Sequence, residues 1–224
     1  MPGARAAVVS PAGPKRGPFP GKRGARARIG LLGGSFNPAH GGHLHISRLA
    51  LGRLGLDEVW WLVSPQNPLK PAAGMAPLDE RLARARAIVD DRRIVVTAIE
   101  RDLGTRYAVD TLRLLRRRFP HTRFVWVMGA DNLIQVPRWK RWRTVFRTVP
   151  IAVFARPTYS SRALSGRAAR RFAGARVRAA RAGGLADLRP PAWVFLRTPL
   201  HGVSATRIRA RRAVEGGRAP DETE

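Results

Sequence analysis

His40 and His43 stand three residues apart, a short turn downstream of Gly33-Gly34. An apolar run, Ile29 to Leu32, stops at those glycines. Asn37-Pro38 then marks a turn, because proline biases the residue before it away from helix. A helical pattern follows, with Leu44, Leu49, Ala50 and Leu54 along one side. Strand, glycine turn and helix come in that order, and both imidazoles fall on one face of the first helical turn. Main-chain N–H groups at a helix start favour anions, and glycines let a phosphate approach the backbone. Two histidines added there suit a polyphosphate whose charge changes during a reaction. A second helix start offers matching chemistry: Ser204 and Thr206 open it and Arg209 lies one turn on. Hydroxyls and helix-start N–H groups can hold phosphate oxygens, and arginine binds them in a forked geometry.

These groups need a frame. Further apolar strands are expected at Val59–Val63, Ile94–Thr97, Phe124–Met128, Pro150–Phe154 and Ala192–Leu196. Between them, Leu78, Leu82, Ala85, Ile88 and Val89 form a helical face, with Pro77 at its start. Thr105 is a candidate N-cap for a helix whose Leu112, Leu115 and Phe119 pack inward before Pro120 ends it. Residues 160–186, rich in Ala and Arg, are expected to form a helix exposed over most of its surface. Six strands alternating with helices predict an α/β, Rossmann-like, doubly wound and mainly parallel sheet with helices on both faces. Its ligand cleft should open at the carboxyl ends of the strands, where the phosphate-handling segments both lie.

The 224 residues suffice for one domain with a substantial core. Cysteine is absent, so disulfides, thiolate nucleophiles and thiolate metal sites are excluded. That suits a cytoplasmic location. No apolar run is long enough to span a membrane. Residues 1–28 are basic, rich in Gly, Pro and Ala, and aperiodic, which reads as a disordered leader. A globular domain is expected over 29–214 and a polar tail over 215–224. The formal net charge is +27, from 42 Lys and Arg against 15 Asp and Glu. Residues 138–186 hold thirteen Lys or Arg and no acid. Such a field favours non-specific nucleic-acid binding, but no aromatic-interleaved RNA motif accompanies it.

The string Gly33-Gly34-Ser35-Phe36-Asn37-Pro38-Ala39-His40-Gly41-Gly42-His43 resembles the first signature of the nucleotidyltransferase superfamily, with its His-x-Gly-His core. Val203-Ser204-Ala205-Thr206-Arg207-Ile208-Arg209 resembles the second. The segments between them are similar to the nicotinate-nucleotide adenylyltransferase branch. The proline-rich loop Ser64 to Pro71 carries Lys70. Thr105-Arg106-Tyr107-Ala108 opens a helix with Ala108 where relatives have threonine. Gly129-Ala130-Asp131 is followed eight residues later by Trp139 and then Lys140. The resemblance implies transfer of the adenylyl group of ATP to nicotinate mononucleotide, giving deamido-NAD and pyrophosphate. It assigns His40 and His43 to catalysis at the phosphates, and Gly33, Gly34, Ser35, Phe36, Lys70, Asp131, Ser204, Thr206 and Arg209 to ATP. Tyr107, Ala108, Trp139 and Lys140 fall to the pyridine nucleotide. Magnesium arrives with ATP, and no dedicated protein metal ligands are expected. Two other readings stay open: a related adenylyltransferase acting on nicotinamide mononucleotide or pantetheine phosphate, and a basic nucleic-acid-binding protein.

Overall fold

The computed structural model describes residues 27–65 and 74–197. Seven strands form one sheet: β1 (Arg28–Gly34), β2 (Glu58–Val63), β3 (Ile94–Thr97), β4 (Arg123–Gly129), β5 (Ile151–Phe154), β6 (Arg176–Val177) and β7 (Trp193–Leu196). Their spatial order is β3-β2-β1-β4-β5-β7-β6, and every neighbouring pair is parallel. The order reverses between β1 and β4, so the crevice at their carboxyl ends is where a doubly wound sheet takes its ligand.

Side chains alternate across the sheet, and each face has its own core. Leu31, Trp60, Leu62, Phe124, Trp126, Met128 and Val153 point to one face. There they meet α4 (Ala108–Arg118), α5 (Ala130–Gln135), α6 (Trp142–Thr148), α7 (Ser160–Leu164) and α8 (Arg167–Arg171). Leu32, Val59, Trp61, Val63, Val125, Val127 and Phe154 point to the other. They meet α1 (Gly41–Leu54), α2 (Leu78–Ile88) and a 3-10 segment over Ala179–Asp187. A short α3 (Ile99–Asp102) follows β3. Because both faces are covered, all six residues of β2 are buried, Glu58 together with the apolar run Val59–Val63.

Strand β1 is anchored at its first residue: the Arg28 N–H donates to Asp57 Oδ2 at 2.7 Å and its guanidinium to Asp187 at 2.6 Å. Two expectations change. The helix expected from Thr105 begins at Ala108, with Tyr107 at the N-cap. The Thr105 hydroxyl is instead 2.9 Å from that of Thr111. The segment 160–186 is not one helix. It runs as α7, α8, a 3-10 turn at Ala173–Ala175, edge strand β6 and the 3-10 segment. Gly166, Gly174 and Gly183-Gly184 interrupt it, and glycine costs a helix interior about 1 kcal/mol each. The chain also has to round the sheet edge here. Ala163, Ala168 and Phe172 pack on the first face, while Ala182, Leu185 and Ala186 pack on the second.

Candidate active site

The two histidines cap α1 reciprocally. His40 is the N-cap residue, and its Nδ1 accepts the Gly42 N–H at 3.1 Å. His43 Nδ1 accepts the His40 N–H at 3.2 Å, closing a capping box built from imidazoles. A ring nitrogen that accepts carries no hydrogen, so each neutral imidazole carries its hydrogen on Nε2. The motif thus makes the helix start and also orients two N–H donors. The ring centroids lie 3.9 Å apart. His43 is backed by Phe36 at 4.6 Å, and Phe36 stacks on Trp61 at 5.0 Å. The His43 carbonyl accepts from Ser47 Oγ at 2.8 Å, and Ser47 Oγ accepts from Trp61 Nε1 at 2.7 Å. No acidic residue occupies the first turn of α1, so nothing there offsets the positive end of the helix.

Of the two glycines before the helix, Gly33 is required by packing. A Cβ on Gly33 would lie 2.7 Å from the Trp126 ring. Phe36 takes a left-handed φ of 47°, and the turn continues through a cis Asn37-Pro38 bond. Beneath this loop lies Arg81, 1 % exposed. Its guanidinium donates to the carbonyls of Ser35, Ser64, Pro65 and Ala76 at 2.6 to 3.0 Å.

A buried polar chain leads from this loop to the start of α4. Ser64 N–H donates to the Gly34 carbonyl at 2.9 Å, and the Ser64 side chain hydrogen-bonds Glu100. Thr111 Oγ1 donates to Glu100 Oε1 at 3.2 Å and also lies 3.3 Å from the Tyr107 carbonyl. Burial pushes the Glu100 carboxyl up to about 7, against the opposing pull of Thr111 and Ser64.

Tyr107, Ala108, Trp139 and Lys140 come together from two loops. Lys140 Nζ sits 4.3 Å from the Tyr107 ring centre and 3.4 Å from Asp110 Oδ2. Trp139 is half-buried and packs edge-on to Trp126 at 6.1 Å. Ala108 is the first residue of α4, so its N–H has no acceptor within the helix. After β4, Asp131 Oδ1 lies 3.2 Å from Arg156 Nε, which arrives from the end of β5. A Cβ on Gly129 would fall 2.5 Å from that carboxylate oxygen, so glycine is what allows the pair. Lys70, Ser204, Thr206 and Arg209 lie outside the described residues.

Residues 31–211 match the Cytidylyltransferase-like family model. A probable nicotinate-nucleotide adenylyltransferase of Gluconacetobacter diazotrophicus is 55 % identical over 197 residues, covering 88 % of this chain and 92 % of the relative. One from Parvibaculum lavamentivorans is 56 % identical over 184 residues, covering 82 % and 92 %. The chain belongs to the nicotinate-nucleotide adenylyltransferase family. A solved structure of Plasmodium falciparum nicotinic acid mononucleotide adenylyltransferase, complexed with NaAD, shares the fold at a TM-score of 0.61 and 14 % identity. That alignment covers 82 % of this chain and 83 % of the other.

In this member of the nicotinate-nucleotide adenylyltransferase family, the structure adds three residues that the motif reading left without a role. Arg156 is one arginine among many in the sequence, and only the fold sets it beside Asp131. Arg81 and Glu100 sit in helices whose sequences read as ordinary charged surface, and only burial singles them out. Among the described residues no three His, Cys, Asp or Glu side chains cluster as a metal cage. Asp131 is already ion-paired with Arg156. No helix among the described residues is long and apolar enough to cross a membrane.

Proposed function

We infer that this chain transfers the adenylyl group of ATP to nicotinate mononucleotide, forming deamido-NAD and pyrophosphate in NAD biosynthesis. The observation that carries the reading is the imidazole-capped start of α1 at the switch point of the sheet, joined by a buried polar chain to the Tyr107–Ala108 helix start. The relatives that are 53 to 57 % identical are named for this activity.

A phosphate oxygen of nicotinate mononucleotide attacks the α-phosphorus of ATP in line. The new P–O bond forms as the bond to the bridging oxygen breaks, and the electron pair leaves with pyrophosphate. Positioning and charge stabilisation suffice, so no covalent enzyme intermediate is needed. His40 and His43 direct their Nε2–H groups at the phosphate oxygens, with the N–H groups of the Gly33–Phe36 loop beside them. Ser204, Thr206 and Arg209 hold the departing pyrophosphate, and Lys70 assists. Asp131 lies toward the ribose and adenosine. Trp139 stacks on the pyridine, worth on the order of 1 kcal/mol or more for a pyridinium over a dry indole face. Tyr107 and the N–H groups of Ala108 and Lys140 meet the carboxylate. Magnesium arriving with ATP would supply neutralisation of part of the triphosphate charge. A cytoplasmic location accords with the cysteine-free chain.

Pyrophosphate release with ATP and magnesium tests the reading. Nicotinate mononucleotide, nicotinamide mononucleotide and 4′-phosphopantetheine are compared. Strong release with the nicotinate substrate is expected. Equal release with nicotinamide mononucleotide would overturn the specificity, and release with none would overturn the activity.

A further inference from the structure

We propose that Arg81 is a positioning residue for the triphosphate of ATP, a buried cation that holds the phosphate loop from below in its binding geometry. The proposal rests on the adenylyltransferase reading for the identity of the ligand.

The guanidinium joins three segments distant in sequence. Nη1 donates to the Ser35 carbonyl at 2.6 Å and the Ser64 carbonyl at 2.8 Å. Nη2 donates to the Pro65 carbonyl at 3.0 Å and Nε to the Ala76 carbonyl at 2.8 Å. The exit of β1, the exit of β2 and the approach to α2 are thereby tied at one point. The bond to Ser35 matters most. The Ser35–Phe36 peptide is trans, so its carbonyl and its N–H point in opposite directions. Drawing the carbonyl down onto Arg81 turns the Phe36 N–H the other way. That N–H has no partner among the described residues. The same bond holds Phe36 at its left-handed φ of 47°, a conformation a bulky residue keeps only when its surroundings impose it.

Charge is the second part of the argument. All of these partners are neutral carbonyls, and Arg81 has no carboxylate partner among the described residues. The acids beside it on α2 are engaged elsewhere, Asp79 with Arg101 at 2.9 Å and Glu80 with Arg84. Burial lowers the Arg81 pKa, yet a guanidinium stays charged at neutral pH. A buried and uncompensated cation is costly in isolation. Next to a loop that receives a polyanion, it is compensated when the ligand binds.

The test uses R81K and R81Q in the full chain, with folding checked by circular dichroism and thermal melting. R81Q should raise the KM for ATP about tenfold and leave the KM for nicotinate mononucleotide within twofold. R81K, which keeps the charge but not the fork, should recover to within about threefold of wild type. Calorimetric binding of a non-hydrolysable ATP analogue should weaken in the same order, and this readout needs no turnover. It therefore separates failure of this proposal from failure of the activity itself. ATP affinity unchanged in folded R81Q would overturn the proposal. Equal losses for both substrates, or R81K no better than R81Q, would also overturn it, because a purely structural role would act that way.

Discussion

At the residue scale, the histidine pair caps α1 and, in the proposed reaction, also donates to the reacting phosphate. H43A removes the Nδ1 acceptor that closes the cap on His40. Loss of a cap costs about 1 kcal/mol of stability. Loss of a positioned N–H donor at the reacting phosphate should cut turnover by at least about a hundredfold. Melting curves and steady-state kinetics on one preparation check both. A near-normal rate would remove His43 from the mechanism. Lys140 is the other informative side chain. Ala108 carries no side-chain hydroxyl at the start of α4, and the Lys140 ammonium stands over the adjacent Tyr107 ring. K140A should lower the preference for nicotinate over nicotinamide mononucleotide roughly fivefold, equivalent to about 1 kcal/mol. An unchanged kcat/KM ratio would leave carboxylate recognition to main-chain N–H groups alone.

At the element scale, the joints between strands and helices carry the predictions. Glu100 connects the exit of β2 to the start of α4, and burial raises its carboxyl to about 7. The folded state therefore holds a proton that the unfolded chain releases near pH 4.5. Stability from this group is fully present below that pH and is lost as pH rises through about 7. The difference amounts to about 3 kcal/mol. E100Q cannot ionise, so its Tm relative to wild type should rise by several degrees between pH 5 and pH 8.5. A parallel pair of Tm-against-pH curves would disprove the assignment. Where β1 meets β4, Gly33→Ala would force a Cβ into Trp126, itself held against Trp139. Overpacking of this kind costs about 1–3 kcal/mol, read as a lower urea midpoint.

At the scale of the whole molecule, the charge is large and uneven. The exposed arginines of residues 162–181 lie around the β6 edge, and none of them is ion-paired to an acid among the described residues. Fluorescence anisotropy with single-stranded RNA should show sequence-independent binding. It should weaken about a hundredfold between 50 and 500 mM salt, as expected for about three phosphate contacts. Salt-insensitive binding, or strong preference for one sequence, would point to a specific site instead of a diffuse field.

The sequence by itself determined much of this protein. Unbroken apolar runs such as Val59–Val63 and Phe124–Met128 have one stable place, inside a parallel sheet covered on both faces. The Gly-Gly turn and the histidine spacing were legible because helix-start chemistry is local. Tertiary structure decided what depends on distant partners. Nothing in the sequence of α2 separates Arg81 from Arg84 or Arg86; burial under the Ser35 and Ser64 carbonyls does. Glu100 likewise reads as one acid among several until Thr111, eleven residues later, folds against it. The segment 160–186 has the composition of a helix, yet it must cross from one face of the sheet to the other around β6. Local propensity is worth tenths of a kcal/mol per residue, and the burial of Phe172 on one face and Leu185 on the other outweighs it.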